Sequence, residues 1–398
     1  TNLDFGRLFM SDLASDGCYY EVTNADDLEF VFGEIAAEIT VSPYEFSFAG
    51  YLVKDDVTET CYYSDGYFLK DSATYNSRLA TMSLCFELTT WSRYSGSWAT
   101  DEHGNDVPVD AENTRWMNAY KLLTDLGYDN FKLNDFWDAE PAKDSVGAVA
   151  ASKINQYDNS TMIAVGVRGG GYGQEWASNF TVGKTGEHAG FSEAKQNVLN
   201  FLKEYIADNH ITGEIKIWLV GYSRAGCVAN MVGGELVDGY SLGENVTVAQ
   251  DDLFVYTFEA PQGALISDTS GGDYSNIHNI INSNDIVPLV APTSWGFDRY
   301  NTDYWLPSAE TSGNFYSQRS NMLSYYEDFE GDTSYNIPEY GTQFEVVADW
   351  SKILPGGAPF ISINNYDVPT SEVLAKSSDF LFDEAIGGRE TYYYDFQA

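Results

Sequence analysis

Residues 214–226 read Glu-Ile-Lys-Ile-Trp-Leu-Val-Gly-Tyr-Ser-Arg-Ala-Gly, an apolar run that passes directly into small and polar residues. The apolar run is typical of a buried strand, and the following residues 227–236 favour a helix. A strand, a sharp turn centred on Ser223 and a helix form the context of a nucleophile elbow, in which the turn strains the serine backbone and lifts its hydroxyl out of the sheet. An ordinary Gly/Ser turn is the alternative interpretation of this motif taken alone.

The motif departs from the usual elbow at its fifth position, which is Ala225 rather than Gly. Ala is small and Gly226 follows it, so the helix and the strand can still pack closely. The start of the predicted helix would offer backbone N–H groups to a developing oxyanion.

The composition sets limits on the partners of the chain. Its 398 residues are 43% hydrophobic and 15% aromatic, which is enough for a sizeable core. The formal net charge of -39 argues against nucleic acid and anionic membranes as partners and suits a secreted or cell-surface protein. No apolar run approaches the length that crosses a bilayer. The chain begins with Thr1 rather than Met, which indicates processing or trimming.

Four cysteines occur, and none of their spacings matches a metal site. We expect no metal and no cofactor. Cys18 and Cys61 lie in tyrosine-rich, strand-like segments and could form a pair. Cys85 and Cys227 lie in apolar helical patterns that are typical of buried thiols.

The chain divides into a strand-rich part and an alternating part. Residues 1–72 are predicted to form strands and turns, with a hairpin between residues 45–53 and 60–70, and residues 98–108 are predicted to be a loop. From residue 145, strands alternate with helices, which predicts a largely parallel sheet. The predicted helices are residues 26–39, 75–91, 113–126, 191–207 and 371–386, and further predicted strands are residues 146–154, 162–168, 253–258 and 277–281.

Three further segments surround Ser223 along the chain. Residues 167–176 end a strand in a glycine run, which lets a ligand oxygen approach backbone N–H groups. Residues 256–263 end another strand at Pro261. Residues 282–290 place Asp285 at the carboxyl end of a strand, where open α/β sheets hold their sites.

In this order the segments resemble the motifs of the class 3 lipases, a branch of the α/β-hydrolases. The family motifs Phe-Arg-Gly-Thr, His-x-Gly-Phe, Gly-His-Ser-x-Gly-Gly, Thr-Phe-Gly-x-Pro and Asp-x-Val-Pro correspond to residues 167–170, 188–191, 221–226, 257–261 and 285–288. The resemblance covers roughly residues 75–306. It implies an α/β-hydrolase fold, with a mostly parallel central sheet flanked by helices, over residues 73–398. Residues 1–72 would form a strand-rich extension, and completeness at the C-terminal end is left open.

The resemblance also implies roles for particular residues. Ser223 would be the nucleophile, Asp285 the carboxylate that orients the base, and the backbone N–H groups of Gly170 and Arg224 the oxyanion hole. The implied activity is hydrolysis of carboxylic esters, above all lipid or acylglycerol esters, through an acyl-enzyme. Residues 295–326 would form an apolar rim or lid for the substrate, or simply pack. Self-assembly is left open.

The catalytic histidine is where the chain departs from the family. In these hydrolases the base follows the acid in sequence, but every histidine of this chain precedes Asp285. His278 is expected to be a core or edge residue, and His210 to end a helix. His103, in a loop, and His188, at the start of a helix, are the weak candidates for the base.

Three explanations follow from this departure. The base lies beyond Ala398 or on another chain, which we favour. Alternatively, the chain is a hydrolase-like scaffold without turnover that acts as an extracellular binding or assembly module. In the third explanation, His103 or His188 has been recruited as the base from an unusual position.

Overall fold

The computed structural model describes most of the central part of the chain. The described residues are 42–48, 57–90, 98–101, 104–108, 119–137, 145–168, 179, 181–183, 185–282, 287–289, 291, 293–301, 303–306, 342–353, 359–363, 366–369 and 392–396. The helices predicted at residues 26–39 and 371–386 lie outside them.

Strands and helices are numbered along the chain. The strands are β1 (Ser42–Phe48), β2 (Val57–Tyr63), β3 (Trp98–Thr100), β4 (Asp106–Pro108), β5 (Asp129–Leu133), β6 (Ala148–Ile154), β7 (Thr161–Val167), β8 (Gly213–Tyr222), β9 (Val246–Thr247), β10 (Leu253–Phe258), β11 (Ala264–Leu265), β12 (Ile277–Asn282), β13 (Phe297–Asp298), β14 (Asp303–Leu306), β15 (Thr342–Ile353), β16 (Pro359–Ile363), β17 (Tyr366–Pro369) and β18 (Tyr392–Phe396). The α-helices are α1 (Ser77–Thr90), α2 (Ala119–Asp125), α3 (Ala189–Asp208), α4 (Arg224–Val237) and α5 (Ile266–Thr269).

A mostly parallel sheet of eight strands forms the centre of the molecule, in the order β14-β12-β10-β8-β7-β6-β5. Strands β7, β8, β10, β12 and β14 run parallel, β5 and β6 are antiparallel to their neighbours, and the short β9 pairs with the start of β8. The largely parallel sheet that the alternating pattern predicts is therefore confirmed.

Strand β8 is apolar and buried from Ile217 to Val220 because both of its faces are covered there. Ile217 and Leu219 pack among side chains of α3 and α4 on one face. Trp218 and Val220 point to the opposite face and pack among side chains of α1. Successive side chains of a strand alternate between faces, so a strand buried on both sides reads as a continuous apolar run.

Helix α3 confirms the helix predicted at residues 191–207. Its apolar side chains recur at helical spacing and are buried against the sheet. The helix ends at Asp208, and the exposed His210 follows in a left-handed conformation with φ 53°. His210 is thus at the helix end, as predicted.

The opposite face of the sheet is covered by α1 and by the hairpin of β1 and β2. The ring of Trp218 lies 5.0 Å from that of Phe86 on α1, and its indole N–H donates to the Ser83 hydroxyl at 2.8 Å. Cys61 and Tyr63 of β2 belong to the same buried cluster. The predicted hairpin is confirmed, whereas the division of the chain at residue 72 stays a prediction.

The second predicted strand of that hairpin ends earlier than expected. Asp65–Leu69 is a short 3₁₀ helix, in which the Ser64 hydroxyl accepts a hydrogen bond from the Gly66 N–H. The Asp65 carboxylate forms a buried ion pair with Lys153 of β6. This distant partner holds the turn, and no local pattern reveals it.

Two other regions differ from the sequence interpretation. Residues 98–108 contain the β3–β4 hairpin, because Asp101 accepts hydrogen bonds from Asn105 and Gly104 adopts a φ of 85°. Strands β15 to β18 form a separate antiparallel sheet of four strands, which the sequence interpretation did not include. Among the helices that the structure describes, none combines the length and apolar character needed to cross a bilayer.

His278 of β12 is a core residue, as predicted, and its environment makes the fold sensitive to acid. Its Nε2 lies 2.8 Å from the carbonyl oxygen of Ser72 and its Nδ1 lies 3.2 Å from the Tyr304 hydroxyl. Burial lowers the pKa of His278 below 6.5. As the pH drops below 6.5, His278 is protonated in the unfolded chain before it is protonated in the folded protein. The free energy of unfolding therefore falls as the pH drops.

We expect His278→Gln to remove this part of the acid sensitivity. Between pH 6.5 and 5, the free energy of unfolding of the wild type should fall more than that of the variant, by at most about 2 kcal/mol, which is the limit for one proton over this pH interval. Urea unfolding across this pH range measures the difference. His210→Gln is the matched control, because that side chain is exposed and should keep the wild-type slope. Equal slopes for His278→Gln and the wild type would contradict the prediction.

Candidate active site

Ser223 occupies the turn between β8 and α4, with a φ of 54° and a ψ of −126°. Residues other than Gly rarely adopt such backbone angles, because this conformation costs of order 1–3 kcal/mol. The Ser223 N–H donates to the carbonyl oxygen of Phe258 at 2.8 Å, which fixes the turn to the end of β10. The side chain is half-buried and makes no capping hydrogen bond to α4. The predicted strand–turn–helix is therefore present, with the hydroxyl not engaged as a helix cap.

The small residues of the motif allow the close approach that this turn requires. A Cβ atom on Gly221 would lie 2.3 Å from the carbonyl oxygen of Ala225 in α4. A Cβ on Gly226 would lie 3.0 Å from both the Ala260 Cβ and the Phe258 carbonyl oxygen. Ala225, the second residue of α4, is fully buried in the hydrophobic core. Ala is therefore tolerated at the fifth position of the motif. Gly226 is the residue whose lack of a side chain allows α4 to approach the end of β10 closely.

The carboxyl ends of the neighbouring strands lie level with Ser223. Val167 of β7 is paired with Gly221, and Phe258 of β10 is paired with both Tyr222 and Ile280. The segments that follow β7, β8, β10 and β12 therefore leave the sheet at one edge. This is the edge at which open α/β sheets hold their sites.

The fold is that of an α/β-hydrolase. Several predicted site residues lie outside the described residues, namely His103, Gly170 and Asp285. Gly170 follows β7 by three residues and Asp285 follows β12 by three residues.

No protein-family model matches the chain. Solved structures with a similar backbone include a lipase from Rhizopus microsporus var. chinensis, 15% identical over 58% of this chain and 76% of that chain, with a TM-score of 0.39. A fungal lipase–inhibitor complex is 19% identical over 45% of this chain and 68% of that chain, with a TM-score of 0.34. The native Rhizomucor miehei lipase propeptide complex is 20% identical over 43% of this chain, with a TM-score of 0.30, and only 56% of its length is matched.

The side chain of Arg224 holds the start of α4 in place. Its guanidinium is buried and donates to the carbonyl oxygens of Gly190 at 2.9 Å and Ser145 at 3.3 Å, and to Asn179 Oδ1 at 3.1 Å. It also lies 5.3 Å above the ring centre of Phe191. Arg224 therefore joins α4 to the start of α3 and to the segment before β6. Sequence reasoning assigned it only a backbone role.

Arg168 anchors the strand end that precedes the glycine run. Its N–H donates to the Gly147 carbonyl oxygen at 2.8 Å, and its buried guanidinium donates to the carbonyl oxygens of Trp137 at 2.6 Å and Phe136 at 3.3 Å. Gly147 leaves room for this side chain, because a Cβ there would lie 2.9 Å from the Arg168 Nε. The chain therefore enters the predicted oxyanion segment from a fixed point.

Arg299 likewise anchors backbone segments, on the other side of Ser223 from Arg168. Its guanidinium donates to the carbonyl oxygens of Ala260, at 3.0 Å, and Pro288, and it forms an ion pair with Asp303 at the start of β14. Pro288 follows Asp285 by three residues. Arg299 thus links the segment after β10, the segment after the predicted acid and the edge strand.

A buried polar network fastens α4 to the sheet. Asn230 of α4 donates to Asn279 Oδ1 of β12 at 2.9 Å and to the Tyr300 carbonyl oxygen at 3.0 Å. Thr257 of β10 donates to the same Asn279 Oδ1 at 2.7 Å, and the Tyr300 N–H donates to Asn230 Oδ1 at 3.0 Å. Polar side chains buried with matched partners specify one relative position of helix and sheet. An Asn within an apolar helix was the available signal, and sequence reasoning missed it.

The ring of His188 packs in an apolar setting. It stacks on Phe191 with ring centres 4.1 Å apart and lies 5.9 Å from Phe297, and the residue is fully buried. Its backbone N–H donates to the Gly263 carbonyl oxygen at 2.9 Å, immediately before α3. His188 begins a helix, as predicted. Within the described part of the chain, no group of three or more His, Cys, Asp or Glu side chains is placed to hold a metal ion.

We expect the strain at Ser223 to be measurable by comparing two substitutions. Ser223→Gly and Ser223→Ala both remove the hydroxyl, but only Gly adopts a positive φ without cost. Ser223→Gly should be more stable than Ser223→Ala by about 1 kcal/mol after allowance for the greater chain entropy of Gly. Urea unfolding measures this difference. An alanine variant as stable as the glycine variant would show that the turn is not strained.

Gly221→Ala should disturb the contact between β8 and α4. Its Cβ would meet backbone atoms of Ala225 at 2.3 and 2.6 Å, and a helix backbone cannot move aside cheaply. We expect a loss of about 2–3 kcal/mol in the free energy of unfolding. Gly243→Ala is the matched control, because its nearest neighbour would be the Val246 Cγ2 at 3.5 Å, an ordinary contact. The control should stay within about 0.5 kcal/mol of the wild type, and an equal loss in both variants would refute the steric argument.

Proposed function

We propose that the protein is a serine hydrolase that cleaves carboxylic esters through an acyl-enzyme on Ser223. The observation that carries the proposal is the backbone at this residue. A non-glycine residue is held at φ 54° between a buried parallel strand and a helix, at the carboxyl edge of the sheet. Strain of this kind persists where the surroundings impose it, and it concentrates at functional sites.

Negative charge on a substrate oxygen would be stabilised at the start of α4. Arg224 is the first residue of this helix, and the first N–H groups of an α-helix have no partner within the helix. We assign one oxyanion donor to the Arg224 N–H and the second to the N–H of Gly170. Preorganised donors of this kind are worth about 10²–10³ in rate each.

The reaction would proceed in two steps. The Ser223 hydroxyl loses its proton to a base and attacks the ester carbonyl carbon, and the tetrahedral intermediate expels the alcohol to leave an acyl-enzyme. Water then attacks the acyl group and releases the carboxylic acid and the free serine. Asp285 is proposed to orient the base. The ring contacts of His188 with Phe191 and Phe297 disfavour it as the base, and His103 is the other candidate for that role.

Lipid or acylglycerol esters are the proposed substrates, and this choice rests on the resemblance to the class 3 lipase motifs. Tyr304, Trp305 and Leu306 of the edge strand β14 are exposed and apolar, which suits a substrate with an acyl chain. A secreted or cell-surface location is proposed from the net charge of -39.

A scaffold without turnover is the second candidate, and the surroundings of the three histidines that the structure describes favour it. His188 stacks on Phe191 in the core, His278 lies beside Ser72 and Tyr304, and His210 is exposed beyond α3. In this alternative the chain binds a partner or ligand through the same edge without activating Ser223.

A fluorophosphonate probe separates the two candidates, because it reacts only with an activated serine and releases fluoride. We expect the wild type to be labelled at neutral pH and Ser223→Ala to lose labelling. Asp285→Asn should slow labelling by about three to four orders of magnitude.

The exposed Ser267 supplies a matched control, and Ser267→Ala should be labelled like the wild type. His103→Gln would abolish labelling if His103 is the base. Absence of labelling in a folded wild-type sample would reject an activated Ser223 in this chain and favour the scaffold over catalysis by this chain alone.

A further inference from the structure

Two cysteines that lie far apart along the chain meet between the N-terminal hairpin and the first helix. Cys61 is on β2 and Cys85 is on α1, 24 positions later, and both side chains are buried. Their Sγ atoms are 2.7 Å apart. The predicted pairing of Cys61 with Cys18 lies outside the described residues, whereas Cys85 is the neighbour that the fold brings to Cys61.

The separation of the two sulfurs falls between a contact and a bond. Non-bonded heavy atoms such as carbon settle about 3.5–4.0 Å apart, and the sulfurs of a disulfide lie about 2.05 Å apart. A shift of about 0.7 Å would join them, whereas two separate thiols would have to move apart. We propose that Cys61 and Cys85 form a disulfide bond that ties β2 to α1.

The bond would form by exchange with a small disulfide such as oxidised glutathione. One cysteine loses its proton and its thiolate attacks a glutathione sulfur, which releases one glutathione thiolate and leaves a mixed disulfide. The second cysteine thiolate then attacks the protein sulfur of that mixed disulfide and releases the second glutathione. The protein loses two electrons and two protons, and the oxidant becomes two molecules of reduced glutathione.

Burial sets the order of events. A glutathione molecule cannot reach either sulfur once the hairpin covers α1, so exchange would take place before the hairpin docks or during local opening. The same burial would protect the finished bond from reductants. A persistent bond of this kind belongs to proteins of oxidising compartments.

Cys227 provides an internal contrast within the same molecule. It is buried in α4, and its Sγ lies 3.8 Å from the thioether sulfur of Met231, which cannot form a disulfide. Burial raises the pKa of its thiol well above the usual range, which leaves little thiolate. Cys227 is therefore expected to stay reduced.

The bond would stabilise the layer of β2 and α1 that packs against β8, the strand before Ser223. The ring of Tyr63, two residues after Cys61, lies 6.1 Å from Trp218 of β8. The Ser83 hydroxyl, two residues before Cys85, accepts the Trp218 indole N–H. The two linked elements thus both pack against the Trp218 side chain, on the face of β8 away from α4.

Peptide mapping tests the pairing on the full chain. The protein is equilibrated with reduced and oxidised glutathione, unfolded in urea with iodoacetamide and digested with trypsin without reductant. Cleavage after Lys and Arg places Cys61 in peptide 55–70, Cys85 in peptide 79–93, Cys18 in peptide 8–54 and Cys227 in peptide 225–299.

We expect peptides 55–70 and 79–93 to be recovered as one disulfide-linked species that separates on reduction, and Cys227 to be alkylated. Alkylation of both Cys61 and Cys85 would overturn the proposal. Recovery of peptide 55–70 joined to peptide 8–54 would also overturn it, in favour of the pair expected from the sequence.

Thermal unfolding gives a second readout that does not depend on mapping. The oxidised wild type should melt roughly 5–10 °C above both the reduced wild type and the oxidised Cys61→Ala/Cys85→Ala variant. Cys227→Ala is the matched control for loss of a buried thiol, and it should keep the difference between oxidised and reduced protein. Equal melting temperatures for oxidised and reduced wild type would contradict a bracing bond.

Discussion

The structure depends on the contact between the backbone of β8 and the start of α4. This contact is possible only because Gly221 carries no side chain where the carbonyl group of Ala225 approaches. The chain must reverse within one residue to make it, and Ser223 takes the positive φ that the reversal requires. The hydrogen bond from the Ser223 N–H to Phe258 then fixes the turn to β10. The position of α4 and the placement of Ser223 beside the end of β10 both follow from this one reversal.

A reversal that costs energy must be held by its surroundings, and the buried network around Asn279 does this. Asn230 of α4 and Thr257 of β10 both donate to Asn279 of β12, and the Tyr300 N–H donates to Asn230. A buried amide without partners would cost about 1–3 kcal/mol, so only the register that matches all these groups is stable. The apolar contacts of α4 would allow small shifts along the sheet, but the network does not. Apolar packing therefore stabilises the contact between α4 and the sheet, and the hydrogen bonds determine where α4 lies along the sheet.

The sequence predicted the elements whose signal is local and missed those whose cause is distant. The apolar run of β8 and the helical spacing of α3 carry their structure in their own residues, and both predictions were correct. The 3₁₀ turn at Asp65 is held by Lys153, which lies in another strand, so its own pattern resembled the end of a hairpin. The same reason hid the side-chain role of Arg224. Roles that depend on which strands become neighbours are fixed by topology, and a single sequence does not display topology.

The distribution of charge explains how so acidic a chain builds a fixed edge. The chain carries 60 acidic and only 21 basic residues, yet Arg168, Arg224 and Arg299 are buried around the elbow. Much of what they bind is backbone carbonyl oxygen, which does not titrate. Each guanidinium offers five donors in a plane. One arginine side chain can therefore donate to carbonyl oxygens of two or three backbone segments at once. Repulsion among surface carboxylates varies with salt and pH, whereas the hydrogen bonds from these guanidinium groups to backbone carbonyl oxygens involve no group that titrates near neutral pH. The acidic surface can therefore change its interactions with the solvent without moving the edge that bears Ser223.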